Sequence, residues 1–487
     1  MNILLLSNSA PNYFHFFNTL AQCFAEDGAN VTVAVDSTFS RKENGLDVLG
    51  FSIYDFSSYY ATHQIDYIIL EKYSDFNLNS ALLSDFERSE VYDIWGDNVG
   101  IDFYDRLKSA LLSYFEEIFA RHKIDMVLYE NVSNTFAHFA LFVAQKNKAH
   151  YCGIGGSRLP GRFTITSDPL VDDATAKNFD AIRSGQLIPA PEIRSWATEY
   201  ISKIETVVPD YMKINGLDRV GLIKRYLRRD RLRKVVSLLR HVFDSRTNAF
   251  QIGNPLRTHF NLFARNVGRR IKIERIKQLY EEPVSGEQFF LYPMHFHPES
   301  STSILAGTYL DEYEVIRNIA FNLPEGVRLY VKDHISAWGY PSLDFYQRIR
   351  RLPNVRLLFP NAPTKKLIKT SLGVITLTST VGYEALLLKT RVYLYGRVFY
   401  EFHKGVARVE NPAKLHDLFL NGMAHPVHWD DEYNNDFICA YYLATLPASL
   451  NLLQANPQAK ILAKKIYEIL KRPNVHANFS PEKYSAP

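Results

Sequence analysis

Apolar and polar positions alternate along the first 160 residues in the way that an α/β fold requires. The short apolar runs predict buried strands at residues 3–7, 31–35 and 126–129. Apolar positions at helical spacing predict helices at residues 14–27, 103–122 and 134–146. Strands that alternate with helices indicate a parallel sheet covered by helices on both faces.

The same alternation returns, more regularly, in the C-terminal half of the chain. The predicted strands are residues 289–292, 327–331, 355–359, 372–377 and 391–395. The predicted helices are residues 310–322, 343–350, 365–370 and one that begins near Tyr383. A further amphipathic helix at residues 459–471 is expected to pack back across the domains. The pattern therefore predicts two α/β domains.

Residues 213–277, between the two halves, differ in composition. They hold 18 Lys and Arg residues against four acidic residues, a net charge of +14 in a chain whose total is +4. Their apolar positions recur at roughly helical spacing, so we expect a basic amphipathic helical insert. The insert fits an anionic membrane surface, an acidic glycan or nucleic acid, or it is a solvated face paired with acidic residues elsewhere. Because no recognised nucleic-acid-binding module is present, we do not expect nucleic acid as the partner.

Length and composition set the remaining bounds. A chain of 487 residues has room for two or three domains at about 100–200 residues each. The expected boundaries are residues 1–200, 201–282, 283–450 and 451–487, the last being a helix and tail. Three scattered cysteines form no disulfide framework, which favours a reducing, cytoplasmic setting. The N-terminal apolar run is a strand rather than a signal peptide, so we expect a soluble protein or one peripheral to the inner membrane.

The most informative local pattern follows the strand at residues 372–377. A small polar turn, residues 378–382, leads from that strand into an apolar helix. Backbone N–H groups and the positive end of the helix dipole at such a turn attract phosphate, and Thr378, Ser379 and Thr380 add hydroxyl donors. Glu384 is placed to accept hydrogen bonds from ribose hydroxyls. The alternative is an ordinary crossover whose hydroxyls only cap the helix.

Two more loops are expected at the same edge of the sheet, because ligands bind outside the carboxyl ends of parallel strands. They are residues 293–302 and 332–336. His295 and His297, in the first loop, suit ligand contact or proton transfer near neutral pH, or a structural role bonded to the loop backbone. A metal site would need a third ligand, for which no spacing is convincing. Lys332 could meet a phosphate or carboxylate, or could simply end an exposed strand.

These loops carry a family resemblance. The run from Tyr292 to Glu299 resembles the P-L-H-x-x-P-E segment of bacterial capsule polysaccharide biosynthesis proteins, a group that includes enzymes transferring the acidic sugar Kdo. The run from Val331 to His334 is similar to the family's K-E-H-P segment. Residues 376–385 with 396–400 resemble its T-I-T-G-T-x-G-x-E-A and F-G-x-x-F-Y segments. Ile335 departs from the family's proline, which leaves the identity of the nucleotide open.

The resemblance implies a GT-B glycosyltransferase, with two Rossmann-like domains facing a cleft and the basic insert between them. It implies a nucleotide sugar, with CMP-Kdo as the expected donor, on the C-terminal domain and a glycan or glycolipid acceptor on the N-terminal one. No metal and no cofactor is expected. By motif matching, the nucleotide- and donor-binding residues are His297, Pro298, Glu299, Lys332, His334, Thr378, Ser379, Thr380, Gly382 and Glu384.

The predicted catalytic residues are His295, Glu130 and Asp168. Glu130 follows the strand at residues 126–129, and Asp168 follows a glycine-rich loop that begins at Gly153. Either carboxylate could serve as the base or nucleophile of glycosyl transfer. Their alternative roles are helix capping and turn formation.

Two other function classes stay open on the sequence. One keeps the fold and changes the reaction to that of a nucleotide-sugar epimerase or a glycerophosphate transferase. The other is a non-catalytic component of polysaccharide assembly or export.

Overall fold

In the computed structural model, residues 1–92, 94–95, 100–207 and 255–472 are described. They divide into two compact units. The first unit comprises residues 1–169, 255–263 and 446–472, and the second comprises residues 170–207 and 264–445. Most of the predicted basic insert, residues 208–254, lies outside the described residues.

The first unit is built on a six-stranded sheet of order β3-β2-β1-β4-β5-β6. Its strands are β1 (Asn2–Ser7), β2 (Asn30–Val35), β3 (Ser52–Asp55), β4 (Met126–Glu130), β5 (His150–Gly156) and β6 (Phe163–Thr166). β1 to β5 are parallel, and β6 is antiparallel to β5. The strand order reverses between β1 and β4, which makes their carboxyl ends the topological switch point of this sheet.

Helices cover this sheet, and one of them comes from the far end of the chain. They are α1 (Tyr13–Glu26), α2 (Thr38–Glu43), α3 (Phe56–Thr62), α4 (Tyr67–Lys72), α5 (Leu78–Leu83), α6 (Phe86–Tyr92), α7 (Ile101–His122), α8 (Thr135–Lys146) and α19 (Gln458–Leu470). α19 packs on α1, with the rings of Tyr467 and Phe24 5.0 Å apart. The C-terminal helix therefore completes the N-terminal core.

The second unit repeats the same strand order. Its sheet runs β12-β11-β10-β7-β8-β9, and all of its strand pairs are parallel. The strands are β7 (Phe289–Pro293), β8 (Arg328–Lys332), β9 (Val355–Leu358), β10 (Gly373–Thr376), β11 (Val392–Leu394) and β12 (Val406–Arg408). The order reverses between β7 and β10, so the switch point lies at the carboxyl ends of these two strands.

The helices of the second unit include two that precede its sheet by about a hundred residues in the chain. They are α9 (Ala174–Arg183), α10 (Pro191–Ser202), α12 (Ser300–Ser303), α13 (Glu312–Phe321), α14 (Leu343–Arg350), α15 (Thr364–Thr370), α16 (Thr380–Leu387), α17 (Leu415–Ala424) and α18 (Asp431–Leu443). A further helix, α11 (Pro255–Lys277), contains residues of both units.

The predicted fold class, α/β with two Rossmann-like domains, is confirmed. The chain divides differently from the expected boundary at residue 200, because α9 and α10 lie in the second unit. Arg183 and Arg194 from these helices pair with the buried carboxylate of Asp436 on α18, at 3.0 and 2.9 Å. Nothing in the local sequence marks this long-range ion-pair cluster.

The predicted glycine-rich loop is largely a strand. Gly153 to Gly156 form the end of β5. A Cβ at Gly153 would lie 2.9 Å from both the Asn131 Cα and the Thr166 carbonyl oxygen, so the glycine allows the neighbouring chains to approach. These glycines therefore serve strand packing rather than an open loop.

Among the described residues, none of the helices combines the length and the apolar character needed to cross a bilayer. All three cysteines are free and buried.

Candidate functional site

Three loops of the second unit meet at one edge of its sheet. β8, β7 and β10 are adjacent parallel strands, so residues 293–302, 332–336 and 377–382, which follow them, all leave the carboxyl edge. The amide of Met294 donates to the carbonyl of Lys332 at 2.9 Å, which ties the first loop to the second. The structure thus brings the three predicted loops together around the switch point.

A buried carboxylate anchors the first loop. Glu312, in the first turn of α13, is 7% exposed. Its Oε1 accepts hydrogen bonds from the backbone N–H of His295 at 2.7 Å and from the Tyr292 hydroxyl at 3.2 Å. The same oxygen lies 3.0 Å from Nδ1 of His295. Glu312 therefore fixes both the backbone and the imidazole of His295.

The hydrogen bonds define the proton position on His295. The backbone N–H of Leu377 can only donate, and it points at Nε2 of His295 at 3.3 Å. Nε2 is therefore the acceptor, and Nδ1 carries the proton that is donated to Glu312. The Thr376 hydroxyl lies 3.1 Å from Nε2 and accepts from the Ser379 amide at 3.0 Å, so it donates to the ring. A directional chain runs from Ser379 through Thr376 and His295 to Glu312.

Through these hydrogen bonds, His295 holds the third loop in place. Both ring nitrogens are engaged inside the protein and the residue is 6% exposed, as in the structural alternative for the histidines of this loop. The catalytic role of His295 stays a prediction. Burial raises the pKa of Glu312, but hydrogen bonding from His295 and the nearby imidazoles of His297 and His295 outweigh it, so the pKa lies below its usual value. Glu312 is ionised at neutral pH.

The third loop ends in a capped helix. The helix start predicted near Tyr383 is three residues too late: α16 begins at Thr380, and Ser379 is its N-cap residue. The Ser379 hydroxyl accepts from the Val381 amide at 3.1 Å, and its carbonyl accepts from the Tyr400 hydroxyl at 2.7 Å. Thr380 and Ser379 are half-buried, at the positive end of the helix. The Ser379 hydroxyl thus caps the helix, as in the alternative interpretation of this turn. Phosphate binding at the turn stays a prediction.

Gly382 lies inside this helix and serves its packing. A Cβ at that position would lie 2.5 Å from the Tyr400 hydroxyl and 3.0 Å from Cγ2 of Thr376. Any larger residue would therefore push α16 away from the hydroxyl that holds Ser379.

The second loop holds a neutral imidazole at the same edge of the sheet as the turn. The amide of Ser336 donates to Nδ1 of His334 at 3.2 Å, so the ring proton is on Nε2. Burial, followed by neighbouring imidazole and ammonium groups, lowers the pKa of His334 to about 4. At neutral pH, His334 is therefore an uncharged hydrogen-bond donor.

Lys332 and Asp333 anchor the second loop through buried polar contacts. The Lys332 ammonium donates to the Pro360 carbonyl at 2.7 Å, and burial lowers its pKa to about 8. Asp333 is buried and accepts hydrogen bonds from the hydroxyls of Tyr280 and Tyr346 and from the His334 amide. Burial raises the pKa of Asp333 to about 6. The position of His334 is thus set by a buried carboxylate, as that of His295 is.

The remaining predicted donor-side residues have mixed surroundings. His297 is half-buried, with Nε2 3.6 Å from Oε2 of Glu312. Glu299 is exposed and follows Pro298 at the start of α12. Thr378 is buried, and its hydroxyl has no hydrogen-bond partner within the described residues. Glu384 is buried and forms a 3.0 Å ion pair with Lys365, which competes with any contact to ribose.

Glu130 lies at the switch point of the first unit. It ends β4, and its Oε1 accepts from the Ser133 hydroxyl at 2.6 Å. Burial raises the pKa of Glu130 to about 7, against the lowering effects of the Ser133 hydrogen bond, the Arg88 charge and a hydrogen bond from Tyr13. A carboxylate with a pKa near the working pH is suited to act as a general base.

Asp168 is not brought to Glu130. Glu130 pairs with Ile154, which pairs with Ile165 on the antiparallel strand β6. Asp168 lies three residues further along β6's direction, toward the amino ends of the parallel strands, where its carboxylate accepts from Gln145 at 2.9 Å. Glu130 is therefore the predicted acceptor-side carboxylate that lies at the ligand-binding edge.

The comparison with known families fits this geometry. The model of the family described as capsule polysaccharide biosynthesis protein matches residues 249–418, which contain all three loops and Glu312. The predicted family resemblance is confirmed. No curated protein sequence matches the chain.

Several solved structures also match the chain, all at low identity. KpsC of Thermosulfurimonas dismutans, a beta Kdo 2,7 transferase, is 12% identical over 74% of this chain and 90% of its own, with a TM-score of 0.33. The beta Kdo 2,4 transferase of the same protein is 14% identical over 67% and 85%, with a TM-score of 0.34. UDP-GlcNAc 2-epimerase of Methanocaldococcus jannaschii is 11% identical over 91% and 98%, with a TM-score of 0.26. Similarities this low do not define an activity.

The hydrogen-bond chain predicts a large cost for altering Glu312. In Glu312→Gln the three donors at Oε1 lose a charged acceptor and keep a neutral amide oxygen at most, so we expect the free energy of unfolding to fall by about 1–3 kcal/mol. Urea unfolding of both proteins measures the difference. Glu314→Gln, on the exposed side of the same helix, is the matched control and should change stability by less than about 0.5 kcal/mol. Equal stability of the two variants would contradict the anchoring role of Glu312.

Proposed function

We propose that the protein is a GT-B glycosyltransferase of capsule polysaccharide biosynthesis that uses a nucleotide sugar, with CMP-Kdo as the expected donor. The observation that carries the proposal is that the loop holding the His334 imidazole and the capped turn at Ser379 and Thr380 leave the same edge of the sheet, within the family-matched region. A helix N-terminus and a neutral imidazole donor together suit a phosphate that must be released after the reaction.

On the donor side, Nε2–H of His334 and the hydroxyls of Ser379 and Thr380 would bind the phosphate that leaves with the nucleotide. Lys332, with its pKa of about 8, would add a positive charge at the start of the second loop. These donors stabilise the negative charge that develops on the phosphate as the glycosidic bond to the donor breaks. His295 and Glu312 act indirectly, by keeping the turn in place.

On the acceptor side, Glu130 would accept the proton from the attacking hydroxyl of a glycan or glycolipid. Its pKa of about 7 lets it be deprotonated before the reaction and take up a proton during it. The oxocarbenium-like character of the transition state makes a nearby carboxylate useful in addition. We expect this transfer to need no divalent metal, and activity to persist after treatment with EDTA.

Product analysis with three donors tests the reaction class. We expect transfer of sugar from CMP-Kdo, with release of CMP, and none from UDP-sugars or CDP-glycerol. Incorporation from CDP-glycerol alone would make the protein a glycerophosphate transferase, and conversion of a UDP-sugar without an acceptor would make it an epimerase. Absence of turnover, together with no thermal stabilisation by any nucleotide, would favour the non-catalytic assembly component.

The pH dependence tests the role of Glu130. Because the base must be deprotonated, kcat/KM should rise with pH through a midpoint near 7, and Glu130→Gln should lower kcat by at least about 100-fold. Ser133→Ala removes a hydrogen bond that lowers the pKa of Glu130, so the midpoint should move to higher pH. Ser202→Ala, an exposed serine elsewhere, is the control. A midpoint that stays fixed in Ser133→Ala would show that another group titrates.

A further inference from the structure

We propose that α11 (Pro255–Lys277) is an interfacial helix that docks the protein on an anionic phospholipid bilayer. The inference goes beyond glycosyl transfer, because it concerns the exposed face of α11 rather than the residues of the three loops. Large apolar side chains on this helix are unusually exposed: Phe260 by 68%, Val267 by 41% and Ile271 by 74%. Phe263 is 49% exposed. Soluble surfaces rarely group exposed apolar side chains of this size.

These side chains form one stripe. An α-helix turns about 100° per residue, so spacings of seven and four residues bring Phe260, Val267 and Ile271 within about 20° of a common direction. Phe263 lies about 60° to one side. The stripe is therefore a single apolar face, about 16 Å long at 1.5 Å per residue.

The opposite face of α11 is the packed one. Arg269 is buried with its guanidinium 4.7 Å from the ring of Tyr340, and Arg265 lies 5.1 Å from the same ring. The Lys272 ammonium donates to the carbonyls of Tyr340 at 3.2 Å and Pro341 at 2.7 Å, and Ile276 is fully buried. Since these residues lie about 120–180° from the stripe, they hold the helix with its apolar face outward.

Cations border the stripe on both sides. Arg270 and Lys277 are exposed on one side, and Arg275 is exposed on the other. The acid in this region, Glu274, is paired with Lys277 at 2.7 Å. An apolar face flanked by exposed arginines complements a bilayer interface, in which acyl chains lie beneath anionic headgroups. A nucleic acid would engage the cations but leave the apolar side chains in water, so a bilayer is the better match.

Vesicle co-flotation of the full chain tests the proposal. We expect the protein to float with vesicles that contain phosphatidylglycerol and to float weakly with phosphatidylcholine alone. Phe260→Ser with Ile271→Ser should lower the partition coefficient by at least about tenfold. Phe321→Ser, which removes a side chain that is 71% exposed on α13, is the matched control and should float like the wild type.

Charge reversal tests whether the arginines beside the stripe contribute to binding of anionic vesicles. Arg270→Glu with Arg275→Glu should reduce flotation with phosphatidylglycerol vesicles, whereas the same charge change at Arg351 and Lys414, both exposed elsewhere, should not.

Flotation of the Phe260→Ser/Ile271→Ser variant at the wild-type level would overturn the proposal, as would absence of vesicle binding by the wild-type protein. Normal flotation combined with a change from dimer to monomer in light scattering would instead make the stripe an interface between copies. Transfer to a soluble acceptor should be unchanged in these variants, so failure of docking is distinct from failure of the enzyme.

Discussion

The hydrogen bonds to the buried carboxylate of Glu312 are the interaction on which the loops at the carboxyl edge of the second unit's sheet depend. A carboxylate that is removed from water must be compensated by donors, and here the donors come from Tyr292 and from both the backbone and the ring of His295. Because one imidazole nitrogen donates to Glu312, the other accepts, and its donor is the Leu377 amide at the strand end that leads into the turn at residues 378–382. One buried charge thereby fixes the relative position of two neighbouring loops.

Asp333 repeats this solution in the adjacent loop. Its carboxylate is held by two tyrosine hydroxyls and orders the backbone at His334. Side chains that would face a ligand are thus supported by buried polar groups rather than by loop backbone alone. In the proposed reaction, such preorganisation would let the donors meet the charge that develops on the leaving phosphate without reorganising.

Much of the fold could be predicted from the sequence, because strands buried on both faces are continuous apolar runs and the helices between them are amphipathic. The parallel arrangement was enough to place the loops after β7, β8 and β10 at one edge. The partners of those loops were not predictable, since His295 and Thr376 are 81 residues apart in the chain. Glu312 has no distinguishing local pattern, because an acidic residue in a first helical turn is common for electrostatic reasons. The start of α16 is predicted three residues too late, because Thr380 and Gly382 have low helix propensity. The Ser379 cap overrides that propensity.

A crystal structure with bound CMP tests the central claim most directly. We predict phosphate oxygens within hydrogen-bond distance of Nε2 of His334 and of the Ser379 or Thr380 hydroxyl, with the bonds from His295 to Glu312 and Thr376 intact. CMP bound away from this edge, or an imidazole of His295 turned from Glu312 toward the phosphate, would contradict the account.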